Sequence, residues 1–184
     1  MRIISGEYRG RVLKSPPSLK TRPTSDRLRE TLFNILSPKI SDETRFLDLC
    51  AGTGAIGIEA LSRGAKFVTF VDKSRKSCAL VETNLDLLEI PENQTEVICS
   101  AAEDFVRRAQ EQTFNIVFFD PPYKNDYQKI LQSFGEKDSA LLSNEGFFIA
   151  EHHAKMNLPD VVGDLRRWRI IKQGDNSLSF YEKE

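Results

Sequence analysis

Phe46-Leu47-Asp48-Leu49-Cys50-Ala51-Gly52-Thr53-Gly54-Ala55-Ile56-Gly57 joins a short apolar run to a glycine-rich turn and then to a helical pattern. The apolar run has strand length, and the glycines stand where a strand hands over to a helix. Small residues there let a ligand approach the backbone, and a helix start offers free N–H groups and a positive dipole end to an anion. Gly52, Gly54 and Gly57 satisfy GxGxxG, and Asp72 follows Gly52 by 20 residues, where an acid grips ribose hydroxyls. A nicotinamide dinucleotide and S-adenosylmethionine both suit this pattern, the latter with its methionine carboxylate where the former has pyrophosphate. Asp48 leans toward S-adenosylmethionine, because a carboxylate there attracts an ammonium and repels a pyrophosphate.

Beyond this stretch, apolar runs at 45–50, 67–72, 96–100, 115–120 and 146–151 are short and rich in Val, Ile and Phe, as strands buried on both faces should be. Helical spacing fills the gaps at 55–63, 74–88, 102–112 and 127–142, with Gly64 and Pro91 as stop signals. This alternation predicts an α/β fold with a Rossmann-like, doubly wound, mostly parallel sheet over residues 45–184. Near the end, 168–172 and 178–182 flank the turn cluster Gln173-Gly174-Asp175-Asn176-Ser177, which predicts an antiparallel hairpin added to that sheet.

Residues 1–44 break the rhythm and are expected to form a small extension. Short apolar pieces at 2–4 and 11–13 can pair as a hairpin around Tyr8-Arg9-Gly10. After the Pro-rich link Ser15-Pro16-Pro17-Ser18, a helix capped by Thr24 or Ser25 carries Leu28, Leu32, Phe33 and Leu36 on one face until Pro38.

The chain has 184 residues, 40% hydrophobic and 29% charged, which suits a folded domain and argues against disorder, collagen or coiled coil. Cys50, Cys78 and Cys99 have neither disulfide-framework nor zinc-cluster spacing and read as small buried hydrophobes in a reducing, cytoplasmic compartment. No apolar run reaches the roughly 20 residues of a membrane span, so neither insertion nor secretion is expected. His152 and His153 lack partners at ligand spacing, and no metal is expected. Glu151 reads as a solvated acid at a strand end, and Trp168 fits hairpin packing as well as base stacking.

The net charge of −1 conceals an asymmetry. Residues 1–30 carry Arg2, Arg9, Arg11, Lys14, Lys20, Arg22, Arg27 and Arg29 against Glu7, Asp26 and Glu30, a local charge of +5 that leaves −6 on the remainder. A basic arm on an acidic body suits contact with a polyanion, and a solvated charged face is the alternative.

A second motif, Asp120-Pro121-Pro122-Tyr123, ends the fourth strand, on the same sheet edge as the glycine turn. Two consecutive prolines remove two N–H donors and hold the chain extended, so that neighbouring carbonyls can act as acceptors. A carboxylate, rigid carbonyls and an aromatic plate match the needs of an exocyclic amine on a planar base.

Together, Asp48, Gly52-Thr53-Gly54, Asp72 and Asp120-Pro121-Pro122-Tyr123 resemble the class I S-adenosylmethionine-dependent amino-methyltransferases. Gly6-Glu7-Tyr8-Arg9-Gly10-Arg11 and Arg22-Pro23-Thr24-Ser25-Asp26-Arg27-Leu28-Arg29-Glu30-Thr31-Leu32-Phe33-Asn34-Ile35-Leu36 are similar to the signature of the RsmD family. Those bacterial enzymes methylate the N2 amine of a guanine in 16S ribosomal RNA. The resemblance spans nearly the whole chain. It implies S-adenosylmethionine as cofactor, bound by Asp48, Ala51, Gly52, Thr53, Gly54, Asp72, Lys73, Ala102 and Glu103. It implies catalysis at Asp120, Pro121, Pro122 and Tyr123, and RNA contact through Arg9, Arg11, Lys14, Arg22 and Arg27. A monomer acting on 16S rRNA, free or in an assembling small subunit, is the matching expectation. One departure is Ser100-Ala101-Ala102-Glu103-Asp104 after the third strand, where such enzymes often place Asp or Asn to meet the adenine amine. That contact then falls to the Ala102 backbone or Glu103, or is missing.

Three other readings stand beside this one. The same tetrapeptide permits methylation of adenine N6 or cytosine N4 in DNA, or of a protein amide. A nicotinamide oxidoreductase uses the glycines but leaves the tetrapeptide idle. A non-catalytic RNA-binding assembly factor uses the arm alone.

Overall fold

Phe46 and Phe118 pack into one core while their chain neighbours Leu47 and Val117 pack into another, so consecutive apolar residues are all consumed. That two-sided burial is the physical basis of the strand pattern. The computed structural model describes residues 1–16, 23–109, 113–122, 127–137 and 139–184. A leading helix, α1 (Pro23–Leu36), is followed by β1 (Arg45–Leu49), α2 (Ala55–Ser62), β2 (Phe67–Asp72), α3 (Arg75–Leu87), β3 (Thr95–Cys99), α4 (Ala102–Arg108), β4 (Phe114–Phe119) and α5 (Tyr127–Gly135). The chain ends with β5 (Leu142–His153), β6 (Val161–Val162), β7 (Leu165–Gln173) and β8 (Asn176–Lys183).

Among the described residues the strands form one sheet in the order β3-β2-β1-β4-β5-β8-β7-β6. Pairings from β3 through β5 are parallel, and those joining β5, β8, β7 and β6 are antiparallel. This is the doubly wound sheet with an antiparallel ending that the alternation predicts. Helices α1, α2 and α3 bury Leu32, Phe33, Ile58 and Val81 on one face, while α4 and α5 bury Phe105, Val106, Leu131 and Phe134 on the other. The winding reverses between β1 and β4, so these two strands are neighbours although other strands and helices separate them along the chain.

Several boundaries differ from the sequence expectation. The helix expected over 127–142 stops at Gly135, whose carbonyl accepts the Asp164 N–H at 2.8 Å, and a Cβ at Gly135 would lie 2.0 Å from the Val162 carbonyl oxygen. Strand β5 starts at Leu142 instead of 146. The fourth-position helix, expected over 102–112, is α4 and ends at Arg108, while 110–112 lie outside the described residues. The five-residue turn of the last hairpin tightens to Gly174-Asp175, since Gln173 pairs with Asn176. Of the three cysteines only Cys78 is buried, whereas Cys50 is half-buried and Cys99 exposed. Trp168 does pack within the hairpin, its ring 5.5 Å from that of Phe180.

The N-terminal segment is welded to α2. Met1 to Leu13 fold back as the expected hairpin, with Ile3 N–H donating to the Arg11 carbonyl at 3.0 Å and Leu13 N–H to that of Met1 at 2.9 Å. Glu59, 0% exposed, accepts from the amides of Ile4 (2.8 Å) and Ser5 (3.0 Å) and from Arg63 Nε (2.9 Å). A buried carboxylate is tolerated only when saturated with donors in this way. Glu59→Ala should therefore lower unfolding free energy by roughly 3–5 kcal/mol, measured by urea titration, and accelerate hydrogen exchange at Ile4 and Ser5. Unchanged exchange at those amides would show that the hairpin is held by other contacts.

Candidate active site

Parallel strands at a topological switch open a crevice at their carboxyl ends, because the connections on either side leave in opposite directions. Here the loops after β1 and β4 flank that crevice, and the Asp120 N–H reaches the carbonyl of Leu49, the last residue of β1, at 3.3 Å. Cys50, Ala51, Gly52 and Thr53 form one wall, and Asp72 lies at the end of β2.

Left-handed backbone builds the first loop. Cys50, Gly52 and Gly54 have φ of 74°, 57° and 77°. Such angles are strained for Cys50 and natural for the glycines. A Cβ on Gly52 would meet no protein atom within 4 Å, so the space over this turn is left for something else. Gly57 serves packing instead, since a Cβ there would fall 2.3 Å from the Phe70 ring. Asp72 locks the turn, its Oδ2 accepting the Gly52 N–H at 2.9 Å and its Oδ1 the Ser74 N–H at 2.8 Å. Each oxygen keeps a further lone pair for a ligand hydroxyl. The Asn84 side chain, fully buried, donates to the carbonyls of Thr53 (3.0 Å) and Lys14 (3.1 Å) and so ties this loop to the N-terminal arm.

Two adjoining cavities share Cys50 and Asp120. One, of about 370 Å³, is lined by Asp72, Lys73, Ala102, Glu103 and Pro122. The other, of about 240 Å³, is lined by Ala51, Gly52 and Thr53, by Leu28, Arg29 and Leu32 of α1, and by Glu151. Most residues expected around a cofactor thus come together. Gly54 lies behind the wall as the left-handed cap of α2. Asp48 is in neither lining: it is 2% exposed, and its Oδ2 accepts the Gly57 N–H at 2.9 Å. Burial, with Asp120 and Asp72 adding repulsion, pushes its pKa up to about 8. The bond from Gly57 ties the first turn of α2 to β1.

On the opposite wall, Asp120 is open to solvent at the crevice mouth, yet the protein packed around its carboxyl pushes the pKa up to about 7. Pro121 is buried beneath it and Pro122 exposed. Tyr123 lies outside the described residues, as does Arg22 of the basic arm.

Glu151, read from sequence as a solvated acid, stands beside Asp120. Phe119 pairs with Ala150 in the parallel register of β4 and β5, so the two acids come next in adjacent strands. Burial and the charge of Asp120 raise Glu151 to about 8, while the Asn176 side chain, donating to Oε1 at 2.8 Å, opposes the shift. The two carboxyls titrate as a pair. The signal in the sequence was register, at the expected end of the fifth strand run. Burial also raises the Cys50 thiol to about 12, which keeps it protonated and unreactive.

His152 is structural, its Nε2 paired with Ser179 Oγ at 2.8 Å. Among the described residues no group of three His, Cys, Asp or Glu is arranged to hold a metal, and no helix is long and apolar enough to cross a membrane. In the arm, Arg9 and Arg27 line a groove between the hairpin and α1. Arg11 donates to the Leu87 carbonyl at the end of α3 (2.8 Å), where a cation also meets the negative end of the helix dipole. Lys14 has its backbone pinned by Asn84.

Comparison with known proteins agrees with this geometry. A family model described as conserved hypothetical protein 95 matches residues 1–182. The chain is 40% identical to the putative rRNA methyltransferase YlbH of Bacillus subtilis over 185 residues, covering 100% of this chain and 99% of that one. It is 37% identical to ribosomal RNA small subunit methyltransferase D of Escherichia coli, covering 100% of this chain and 90% of the relative. A solved structure, the putative methyltransferase yhhF from Escherichia coli, superposes with a TM-score of 0.86 at 36% identity over 100% of this chain and 98% of that one. With the match running from the arm through the glycine turn to the last strand, the chain belongs to the conserved hypothetical protein 95 family, the RsmD family.

Proposed function

We propose that this protein methylates the exocyclic N2 amine of a guanine in 16S ribosomal RNA, with S-adenosylmethionine as donor. The observation that carries this reading is the meeting of two loops at one crevice, one suited to an adenosyl ligand and the other ending in an acid followed by two prolines. The names of the relatives, a putative rRNA methyltransferase and a ribosomal RNA small subunit methyltransferase, support ribosomal RNA as the acceptor.

The larger cavity suits adenosine, with Asp72 accepting from ribose hydroxyls and Ala102 or Glu103 bordering the base. Gly52 leaves room for the ligand to lie against backbone. Bound S-adenosylmethionine supplies an electrophilic methyl group on a sulfonium. The remaining work belongs to the protein. A base amine is a poor nucleophile because its lone pair is delocalised into the ring. Asp120, as a carboxylate, accepts one amine N–H, and the carbonyl of Asp120 or Pro121 accepts the other. Both bonds favour a tetrahedral nitrogen whose lone pair is free to attack. Bonds of this charge-assisted kind contribute about 1.5–3 kcal/mol each, and holding the reacting atoms in line contributes up to about 7–11 kcal/mol. After transfer the nitrogen is cationic and acidic, so Asp120 or water takes its proton. Tyr123 is assigned to stack on the base, a contact of about 1–3 kcal/mol. Residues 1–44 form, in this reading, the RNA-facing extension of a catalytic domain at 45–184, with Arg9 and Arg27 meeting phosphates. Guanine presented in a splayed loop suits such a crevice.

Asp120→Ala should abolish methyl transfer to small-subunit RNA while cofactor affinity stays within a few fold, and Asp72→Ala should chiefly weaken the cofactor. Radiolabel incorporation and calorimetry measure the two, and near-normal turnover by Asp120→Ala would refute the amine activation. Mapping the labelled nucleoside by mass spectrometry distinguishes guanine N2 from other acceptors.

The pH dependence has a definite sign. Asp120 acts as an acceptor only when ionised and its pKa is raised to about 7. Turnover should therefore fall as pH drops through about 7, toward tenfold per unit. A kcat/KM profile flat from about pH 8 to about pH 5 would contradict the role.

Charge reversal at Arg9 and Arg27 should weaken RNA binding and flatten its dependence on salt by about one unit of log-log slope per lost phosphate contact. Filter binding at several salt concentrations reads this directly, and an unaltered slope would remove the arm from the interface.

A further inference from the structure

Glu151 is a half-buried acid that the chemistry set out above leaves idle. Phe119 pairs with Ala150, and Asp120 and Glu151 follow next in their parallel strands, on the side of the sheet where Phe118 and Ile149 are packed. Neighbouring strands lie about 4.8 Å apart, so the two carboxyls meet at one place, and both border the smaller cavity. Glu151 is also held in position. The Asn176 side chain donates to its Oε1 at 2.8 Å, and the Tyr127 hydroxyl donates to its backbone carbonyl at 2.8 Å. Among the described residues no donor is paired with Oε2.

An acceptor fixed beside Asp120 calls for an N–H donor beside the amine that Asp120 holds. Adenine, cytosine and guanine each carry an exocyclic amine, but the neighbouring ring nitrogens differ. Adenine N1 and cytosine N3 are unprotonated acceptors, whereas guanine N1 carries a hydrogen. We propose that Glu151 accepts the N1–H of the target guanine while Asp120 holds its N2 amine, and that this second contact selects guanine over adenine and cytosine. The assignment rests on the acceptor reading given above and adds the residue that chooses the base. A base presenting a ring lone pair would leave the acid unpaired and facing like polarity, which costs more than the lost bond alone. Burial and the charge of Asp120 push Glu151 toward its neutral form, while the Asn176 amide and a guanine N1–H both donate to the carboxylate and favour it.

The test uses the full chain and small-subunit RNA that carries, at the nucleotide identified by mass spectrometry, either guanine or 2,6-diaminopurine, which keeps the C2 amine but has an unprotonated N1. Labelled methyl transfer gives kcat/KM for each. The unaltered protein should favour guanine by about 10- to 100-fold. In Glu151→Gln the Asn176 donor keeps the amide oxygen in the place of Oε1, so the amide N–H groups face the base. That variant should lose guanine activity by about the same factor and methylate diaminopurine at least as well as guanine, with S-adenosylhomocysteine affinity within about twofold of the unaltered protein. Equal rates of the unaltered protein on the two RNAs would overturn the assignment without any variant. So would a guanine preference that survives Glu151→Gln, or an equal loss on both RNAs, which would mark Glu151 as a support for the hairpin through Asn176. Failure of the unaltered protein to methylate guanine N2 at all would refute the acceptor reading itself, and this contact with it.

Discussion

The contact between the Asp120 amide and the Leu49 carbonyl marks the constraint on which the site depends: β1 and β4 are parallel neighbours at the point where the winding of the sheet reverses. Chain connectivity sends the loop after β1 toward β2 and the loop after β4 toward β5, so the two diverge above a common floor and leave a crevice. Every functional group of the site is placed relative to that floor.

Desolvation then sets the chemistry. Asp48, Asp120 and Glu151 lie on neighbouring strands at one end of the sheet, and all three are pushed toward the neutral form by the protein around them. Their fates differ because their partners differ. Asp48 spends an oxygen on the Gly57 amide and becomes part of the scaffold, Glu151 is steadied by Asn176, and Asp120 faces the open mouth of the crevice. A carboxyl poised near neutrality in an accessible place is a candidate for chemistry.

The N-terminal segment is structurally inseparable from this crevice. Glu59 pins the hairpin to α2, Asn84 bridges the hairpin to the glycine loop, and Leu28, Arg29 and Leu32 of α1 wall the smaller cavity.

Local chemistry carries far in such a fold. Alternating runs of Val, Ile and Phe with helical spacing, glycines at a strand end and two prolines after an acid each have one economical conformation, and each was legible along the chain. The antiparallel hairpin was legible too, from its turn residues. Other features depend on what packs from afar. Helix α5 stops at Gly135, whose carbonyl is taken by the Asp164 amide, and Asp48 is bound by the amide of Gly57. Glu151 joins Asp120 through strand register, and Arg29 changes from one of eight basic residues into a buried cation only when α1 closes over the crevice. By itself the sequence determined which elements form and which ends of strands line the crevice, because those arise from periodicity and turn chemistry. Tertiary structure alone decided which polar groups face the crevice and which are spent on the scaffold, because burial and hydrogen-bond partnership arise between residues far apart in the chain.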